Sequence, residues 1–400
     1  MQSNNYEIGR VPRTLVGVDS LDSLAAAIGG LTAPAAGPRP VVLVVDGAVM
    51  TTGYVRRVID ALRGAAVVVH VAPPGEPCIG SVDAAADVVR RAGDCVVIGI
   101  GGGSALDTAK QAAVVGVGET GVEPYLLCTT PLPGRRPIVA IPTTSGTGAE
   151  VTRTCIVADH RGRKSWTWGD EMLPDLVVLD PTAAATMPHG VTVGTGLDAY
   201  VHALEACTGQ RRSSVPAAAA QRALRLVVQH LPLAASDGGD LRARQAMQEA
   251  AFLAGVAIDN CGTGVAHSIG HALGTLHHVP HGVSVAIGLH AALNWNVDGA
   301  PDAFADAADA LGCGIDAVPE TLQRLFDCTG MAGVVKAIAA NAVAAGTPEE
   351  SPFDATAIAD SMNAIENQSM LGNNARVVDD DARHLLAART VALWNELASR

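Results

Sequence analysis

The hydrophobic pattern of the chain changes character near its middle. Up to residue 185, short Val/Ile-rich runs recur at Val41–Val45, Ala66–Val71, Cys95–Ile100, Ile138–Ile141 and Leu176–Leu179, with Thr14–Val18 as a further candidate. Runs this short, rich in Val and Ile and without polar alternation, predict parallel strands buried on both faces. Segments with helical periodicity, Val82–Ala92 and Ala105–Val115, lie between them, so this half reads as a doubly wound, Rossmann-like α/β domain. After Thr186-Met-Pro-His-Gly190, a connector, strand signals fade and Ala-rich helical periods run to the C-terminus. The expected organisation is an α/β domain over residues 1–187 and an all-α domain over 188–400. Within the second half, loops are expected across 342–353, which holds Gly346, Pro348 and Pro352, and across Leu371–Ala375.

Composition sharpens this picture. Four hundred residues exceed one ordinary core, in keeping with two domains. Apolar residues make up 48% of the chain but aromatics only 3%, so the helices should pack closely on Ala and Val. A net charge of −13 argues against a nucleic-acid or anionic-membrane partner. No apolar run reaches the ~18–20 residues of a membrane span, and the opening MQSNNYEIGR lacks the basic and apolar regions of a signal peptide. The cysteines (Cys78, Cys95, Cys128, Cys155, Cys207, Cys261, Cys313 and Cys328) form no CxxC pair, which points to reduced thiols in a cytoplasmic protein.

Two loops of the first half carry chemistry. Gly99-Ile-Gly101-Gly102-Gly103-Ser104 follows a strand and opens a helix. Its glycines let backbone amides approach a pyrophosphate, and the helix N-terminus favours the negative charge. As a dinucleotide fingerprint it is imperfect, because Ser104 stands where the third glycine belongs. Ser104 and Asp107 have capping-box spacing, and so do Thr147 and Glu150 in the second loop, Pro142-Thr-Thr-Ser-Gly-Thr-Gly-Ala-Glu150, so a helix is expected after each. Two such loops suit one extended ligand lying across a sheet edge. Asp46, closing Val41–Val45, has the position of an acidic residue that binds a ribose hydroxyl and repels a 2′-phosphate, although Asp is also an ordinary strand-to-turn residue.

The second half carries a histidine cluster. Five of the twelve histidines (His267, His271, His277, His278 and His281) fall between residues 267 and 281. His267 and His271 share a helix face, and Pro280 breaks the helix before His281. Upstream, Asp198 and His202 are also spaced i,i+4, a spacing that by itself is often only a local hydrogen bond. Taken with His267 and His281, they make a plausible three-nitrogen, one-oxygen set for Fe²⁺ or Zn²⁺.

At this point the residues match a family. The segments GGGSALDTAK (101–110), PTTSGTGAE (142–150), LDPTAAATMP (179–188), GLDAYVHALEA (196–206), GVAHSIGHALG (264–274) and VPHG (279–282) resemble, in order, the iron-containing (group III) metal-dependent alcohol dehydrogenases. LGNNARVVDDDA (371–382) looks like that family's final loop and helix. The resemblance implies an NAD(P)-dependent alcohol dehydrogenase or aldehyde reductase that transfers hydride between a nicotinamide and a small alcohol or aldehyde in a cleft between the domains. It implies metal ligands at Asp198, His202, His267 and His281, with His271 near the nicotinamide and handling a proton. It places the pyrophosphate on Gly101, Gly102, Gly103 and Ser104, with Asp107 nearby. Thr143, Thr144 and Thr147 would line the cofactor site, and Asp46 would favour NAD over NADP. Homodimers or larger homo-oligomers are expected, as for relatives. Ala149 replaces the usual Ser, and Ala72-Pro-Pro-Gly-Glu-Pro77 stands where many members have Asn-Pro.

Competing readings are a reductase for an acidic substrate (maleylacetate, phosphonoacetaldehyde or sulfoacetaldehyde type), with Arg153 or Lys164 as the candidate cation, a non-catalytic metal- and nucleotide-binding protein, and a hydrolytic metalloenzyme. The last leaves the glycine-rich loops unexplained. Packing is the expected role of Trp166 and Trp168, and lining or surface positions that of His277 and His278.

Overall fold

Uninterrupted runs of Val, Leu and Ile form the centre of a parallel sheet, as their lack of polar alternation demands. The computed structural model describes residues 6–31, 39–344 and 353–400. Its strands are β1 (Arg13–Val16), β2 (Val41–Asp46), β3 (Val67–Ala72), β4 (Val96–Gly101), β5 (Ile138–Pro142), β6 (Thr154–Ala158), β7 (Lys164–Trp168) and β8 (Leu176–Leu179). Six of them form one sheet in the order β1-β8-β5-β4-β2-β3, and each pairing is parallel. The helices of this part are α1 (Leu24–Gly29), α2 (Tyr54–Ala61), α3 (Ile79–Ala92), α4 (Gly103–Val115) and α5 (Pro181–Ala184). Two separate apolar clusters flank the sheet: Leu43, Val45 and Ile98 belong to one, Val42, Val44 and Val97 to the other. The expected strands are all present, with ends shifted by one or two residues, but the edge strands β1 and β3 are not buried on both faces: lacking a neighbour on one side, they leave Val16, Val68, Val69 and Val71 exposed.

Strand order fixes where a ligand can enter. β2 lies between β3 and β4, so the chain runs outward to β3 and returns past β2 to continue on the other side. At such a switch point the loops leaving the carboxyl ends diverge and leave a crevice. Asp46 ends β2, Gly101 ends β4 with Gly101 opposite Pro142 of β5, and Val45 stands opposite Ile100. Asp46 and the two glycine-rich loops singled out in the sequence therefore open side by side.

Two expectations about helix starts need correction. No helix follows Thr147–Glu150. Gly148 takes a left-handed φ of +64°, the Val151 amide donates to the Gly148 carbonyl, and the chain turns into the antiparallel hairpin β6–β7. The Ser104–Asp107 pair is not a capping box either. The N-cap of α4 is Gly102, without a side-chain cap. The Asp107 carboxylate instead accepts from the Ile156 amide at 2.8 Å and pairs with Lys110 at 3.4 Å. Lys110, fully buried, also donates to the carbonyls of Ala149 (2.8 Å) and Thr154 (3.0 Å), so a polar seam pins the hairpin to α4.

Glu150 is buried at the end of this seam, and desolvation pushes its carboxyl up to about 7 from an ordinary 4.5. The folded state then holds a proton that the unfolded chain gives up earlier, so stability falls as pH rises from near 4.5 through 7. Glu150→Gln should remove this slope, stabilising the protein at pH 8 relative to pH 4 by on the order of 3 kcal/mol. Denaturant unfolding of both proteins at the two pH values checks it; parallel pH dependences would contradict it.

Residues 10–187 form one compact unit; Pro188–Arg400, with the described residues up to Gly9, form the other. The N-terminal segment thus belongs with the helices: the Gly9 amide donates to Asn260 Oδ1 at 3.0 Å, and the Tyr6 hydroxyl bonds Ser214. The helices are α6 (His189–Thr208), α7 (Ser214–Ser236), α8 (Leu241–Cys261), α9 (Val265–His277), α10 (His281–Gly299), α11 (Ala305–Leu311), α12 (Val318–Thr329), α13 (Met331–Ala344), α14 (Ala355–Met362), α15 (Gln368–Asn373) and α16 (Asp380–Ser399). Of the loop expected over 342–353, residues 345–352 lie outside the described residues, and 342–344 end α13. The loop expected at Leu371–Ala375 is displaced, because α15 runs through Asn373. Among the described residues, no helix is long and apolar enough to cross a membrane.

Small residues decide how closely these helices approach. A Cβ on Gly282 would stand 2.2 Å from the Gly194 carbonyl oxygen, and one on Gly270 would stand 2.4 Å from Val285. Backbone-to-backbone contact of α6 with α10, and of α10 with α9, brings the functional side chains of three helices to one place.

Candidate metal centre and cofactor loops

Helical spacing aligns Asp198, His202 and Glu205 on one face of α6. His267 lies in the first turn of α9, whose N-cap is Gly264, and His281 is the first residue of α10. The donor atoms of Asp198, His202, His267 and His281 all lie within 4.8 Å of one another. From Asp198 Oδ1 the Nε2 atoms of His202, His267 and His281 stand at 3.7, 3.9 and 3.7 Å. The rings of His202 and His267 stack with centroids 4.6 Å apart. These separations exceed hydrogen-bond length. Four donors about 2.0–2.2 Å from one ion would stand roughly 3.3–3.6 Å apart, so the Asp198 separations need only a slight contraction.

The donor chemistry fits a divalent cation. Both carboxylate oxygens of Asp198 and Nε2 of His267 are buried and have no hydrogen-bond partner among the described residues. A buried carboxylate without donors is costly unless a charge sits beside it. His281 is the open side of the set, its side chain 24% exposed against 1–5% for the other three. Three imidazole nitrogens and one carboxylate suit Fe²⁺ or Zn²⁺.

Sequence reasoning missed Glu205. Its Oε2 accepts from His267 Nδ1 at 2.6 Å, and its Oε1 accepts from the Ala266 amide at 2.8 Å. The carboxylate therefore keeps the proton of His267 on Nδ1 and aims the Nε2 lone pair at the cluster. Position i+7 from Asp198 and i+3 from His202 was the available signal. Glu205→Gln should weaken divalent-metal affinity roughly 10–100-fold, read by competition with a chromophoric chelator; an unchanged affinity would contradict this role.

His271 lies one turn beyond His267, with its ring centroid 5.9 Å from that of His281. It is outside the four-donor set, and its Nδ1 bonds Asn367 Oδ1 at 3.1 Å. His277 packs on Phe353 (centroids 4.2 Å apart), and His278 is the exposed left-handed cap of α9.

The cofactor-loop residues come together within the sheet unit. A Cβ on Gly101 would meet Asp46 Cβ at 2.7 Å, one on Gly102 would meet Thr144 at 3.3 Å, and one on Gly103 would meet Thr147 at 2.8 Å. The Thr143 amide donates to the Gly101 carbonyl at 2.9 Å. Ser104 lies in the first turn of α4, whereas Asp107 is turned inward to the seam described above. Asp46 accepts from the Ala48 amide through Oδ1 at 2.9 Å, which holds its carboxylate at the end of β2. The two candidate cations for an acidic substrate are both engaged. Lys164 pairs with Glu76 at 2.7 Å; Arg153 pairs with Asp170 at 3.3 Å and lies over the Trp168 ring at 4.9 Å.

Comparison with known proteins agrees with this architecture over both units. Residues 12–181 match the iron-containing alcohol dehydrogenase model, and residues 192–390 match the C-terminal model of the Fe-containing alcohol dehydrogenase family. The chain is 34% identical over 290 residues to the probable alcohol dehydrogenase EutG of Salmonella typhimurium, covering 71% of this chain and 72% of that protein. It is 32% identical over 279 residues to the NAD-dependent methanol dehydrogenase of Bacillus methanolicus, covering 69% and 73%. In fold it is similar to the sulfoacetaldehyde reductase of Bifidobacterium kashiwanohense, solved in complex with NAD+, with a TM-score of 0.84, 24% identity and coverage of 99% and 100%. With both family models matched in order across nearly its whole length, the chain belongs to the iron-containing alcohol dehydrogenase family.

Proposed function

We propose that the protein is an NAD-linked, divalent-metal-dependent alcohol dehydrogenase or aldehyde reductase acting on a small alcohol or aldehyde. The observation that carries this reading is the buried Asp198 carboxylate, which faces three imidazoles and has no hydrogen-bond donor among the described residues. Asp198, His202, His267 and His281 would hold the cation, Fe²⁺ as the family suggests or Zn²⁺. When bound, the cation supplies Lewis acidity toward the substrate oxygen, and the nicotinamide gives or takes the hydride. The chain's own residues do the rest. Gly101, Gly102, Gly103 and Ser104 offer backbone amides and a helix N-terminus to a pyrophosphate, and Thr143, Thr144 and Thr147 flank them. Asp46 places a negative charge where a 2′-phosphate would sit, which favours NAD over NADP. Aldehyde reduction by NADH adds a hydride to carbon and a proton to oxygen, giving alcohol and NAD+; His271 is positioned to supply that proton and, in the reverse direction, to take it up.

A neutral substrate is favoured over an acidic one, because Arg153 and Lys164 already have anionic partners. The eight thiols, none in a disulfide, support a reducing, cytoplasmic compartment. A homo-oligomer is supported by the edge strand β3, which leaves Val68, Val69 and Val71 exposed without the charges that usually protect an edge. Rates for neutral and anionic aldehydes with NADH and NADPH, after loading with Fe²⁺ or Zn²⁺, test the proposal. It predicts turnover of neutral aldehydes with NADH; preference for anionic aldehydes would favour the acidic-substrate reading, and no turnover with any pair would overturn both.

A further inference from the structure

Asn367 lies about a hundred positions beyond the histidine cluster in sequence, yet it touches His271. It is 2% exposed and caps the short helix α15. Its Nδ2 donates to the Ser361 carbonyl at 3.0 Å, and its backbone amide donates to the Ala364 carbonyl at 3.0 Å. The supporting turn is itself fixed to α9, because Ser268 Oγ donates to the Met362 carbonyl at 3.2 Å. A carbonyl can only accept, so the Asn367 amide has one allowed orientation: nitrogen toward Ser361 and oxygen toward His271. The partner of Asn367 Oδ1, His271 Nδ1 at 3.1 Å, must therefore carry the proton.

We propose that Asn367 is a positioning residue that locks the orientation and tautomer of His271, with Nδ1 protonated and Nε2 as the one nitrogen that can exchange a proton with substrate. The inference rests on the oxidoreductase reading for its catalytic consequence, but not for its geometry. It parallels the Glu205–His267 pair: one imidazole is aimed at the donor cluster by a carboxylate, the other is aimed beside it by an amide. An amide, unlike a carboxylate, leaves the ring without a neighbouring negative charge.

Two measurements test it on the full-length, metal-loaded protein. In the zinc-loaded form, ¹⁵N–¹H correlation spectra of the imidazoles should show His271 as the Nδ1–H tautomer, and Asn367→Leu should abolish that signature. A wild-type Nε2–H tautomer would overturn the proposal whether or not any substrate is turned over. In steady-state aldehyde reduction, Asn367→Leu should lower kcat roughly 10–100-fold with KM and metal content little changed. The solvent isotope effect on kcat should rise, and Asn367→Asp, which keeps an acceptor, should recover most of the loss. Combined with His271→Ala, Asn367→Leu should add nothing, because both remove one function. Multiplicative losses in the double variant, or Asn367→Asp as damaged as Asn367→Leu, would mean a merely structural role. Wild-type protein inactive with every aldehyde tried, but with His271 in the Nδ1–H form, would overturn the oxidoreductase reading and leave the positioning assignment standing.

Discussion

Replacing Asp198 by Asn should eliminate stoichiometric binding of Fe²⁺ or Zn²⁺ and lower kcat/KM at least about a thousandfold. Asp198 is the one anionic donor of the cluster and faces all three imidazole Nε2 atoms at 3.7–3.9 Å. An amide of the same shape offers one weak acceptor and directs an NH₂ group at the histidines. Lewis-acid stabilisation is worth several kcal/mol, and each 1.36 kcal/mol is tenfold in rate, so about 4 kcal/mol corresponds to the stated loss. The change should also be visible without catalysis. A cation that binds only the folded state raises its melting temperature, so a chelator should lower Tm for the wild type and leave the Asp198→Asn protein unaffected. Elemental analysis and thermal melts with and without chelator check both statements. Retained metal at full occupancy in the variant would contradict the ligand assignment.

The second large effect is expected at Gly101. Its φ of +156° lies at the border of what other residues adopt, and an added Cβ would stand 2.6 Å from Ala105 Cβ and 2.7 Å from Asp46 Cβ. Neither neighbour is the end of a flexible side chain, so the backbone itself must move. Gly101→Ala should therefore push the β2 and β4 loops apart and weaken NAD binding roughly a hundredfold or more, while metal content stays at wild-type level. Equilibrium titration with NADH, followed by its fluorescence, gives the first quantity and elemental analysis the second. Wild-type NAD affinity in the variant would remove this crevice as the nucleotide site.

These two substitutions also mark how much could be read from sequence. The buried strands were legible because both faces of a parallel sheet demand uninterrupted Val and Ile, a pattern short enough not to be mistaken for helix. The set Asp198, His202, His267 and His281 was legible because i,i+4 spacing puts two donors on one face, and because Pro280 frees His281 to start a new helix. The hairpin β6–β7 was not, since Thr154–Ala158 and Lys164–Trp168 are short and pack against α4 through polar side chains as much as apolar ones. Capping-box spacing misled twice for one reason: it records only which side chains are near in sequence. Asp107 found a better partner in the Ile156 amide, and Gly148 turned the chain before a helix could start. Glu205 and Asn367 hold imidazoles from elsewhere in the chain, Asn367 from a separate helix cap, so their roles exist only once α9 is packed against α6 and α14.

A divalent cation held by Asp198, His202, His267 and His281 would act with a nicotinamide to interconvert alcohol and aldehyde. The most direct measurement follows NADH absorbance as a small neutral aldehyde is added to metal-free protein, then to the same protein after one equivalent of Fe²⁺ or Zn²⁺, and then to Asp198→Asn treated identically. Turnover should appear in the second sample alone. Equal turnover with and without the cation, or in the Asp198→Asn protein, would contradict it.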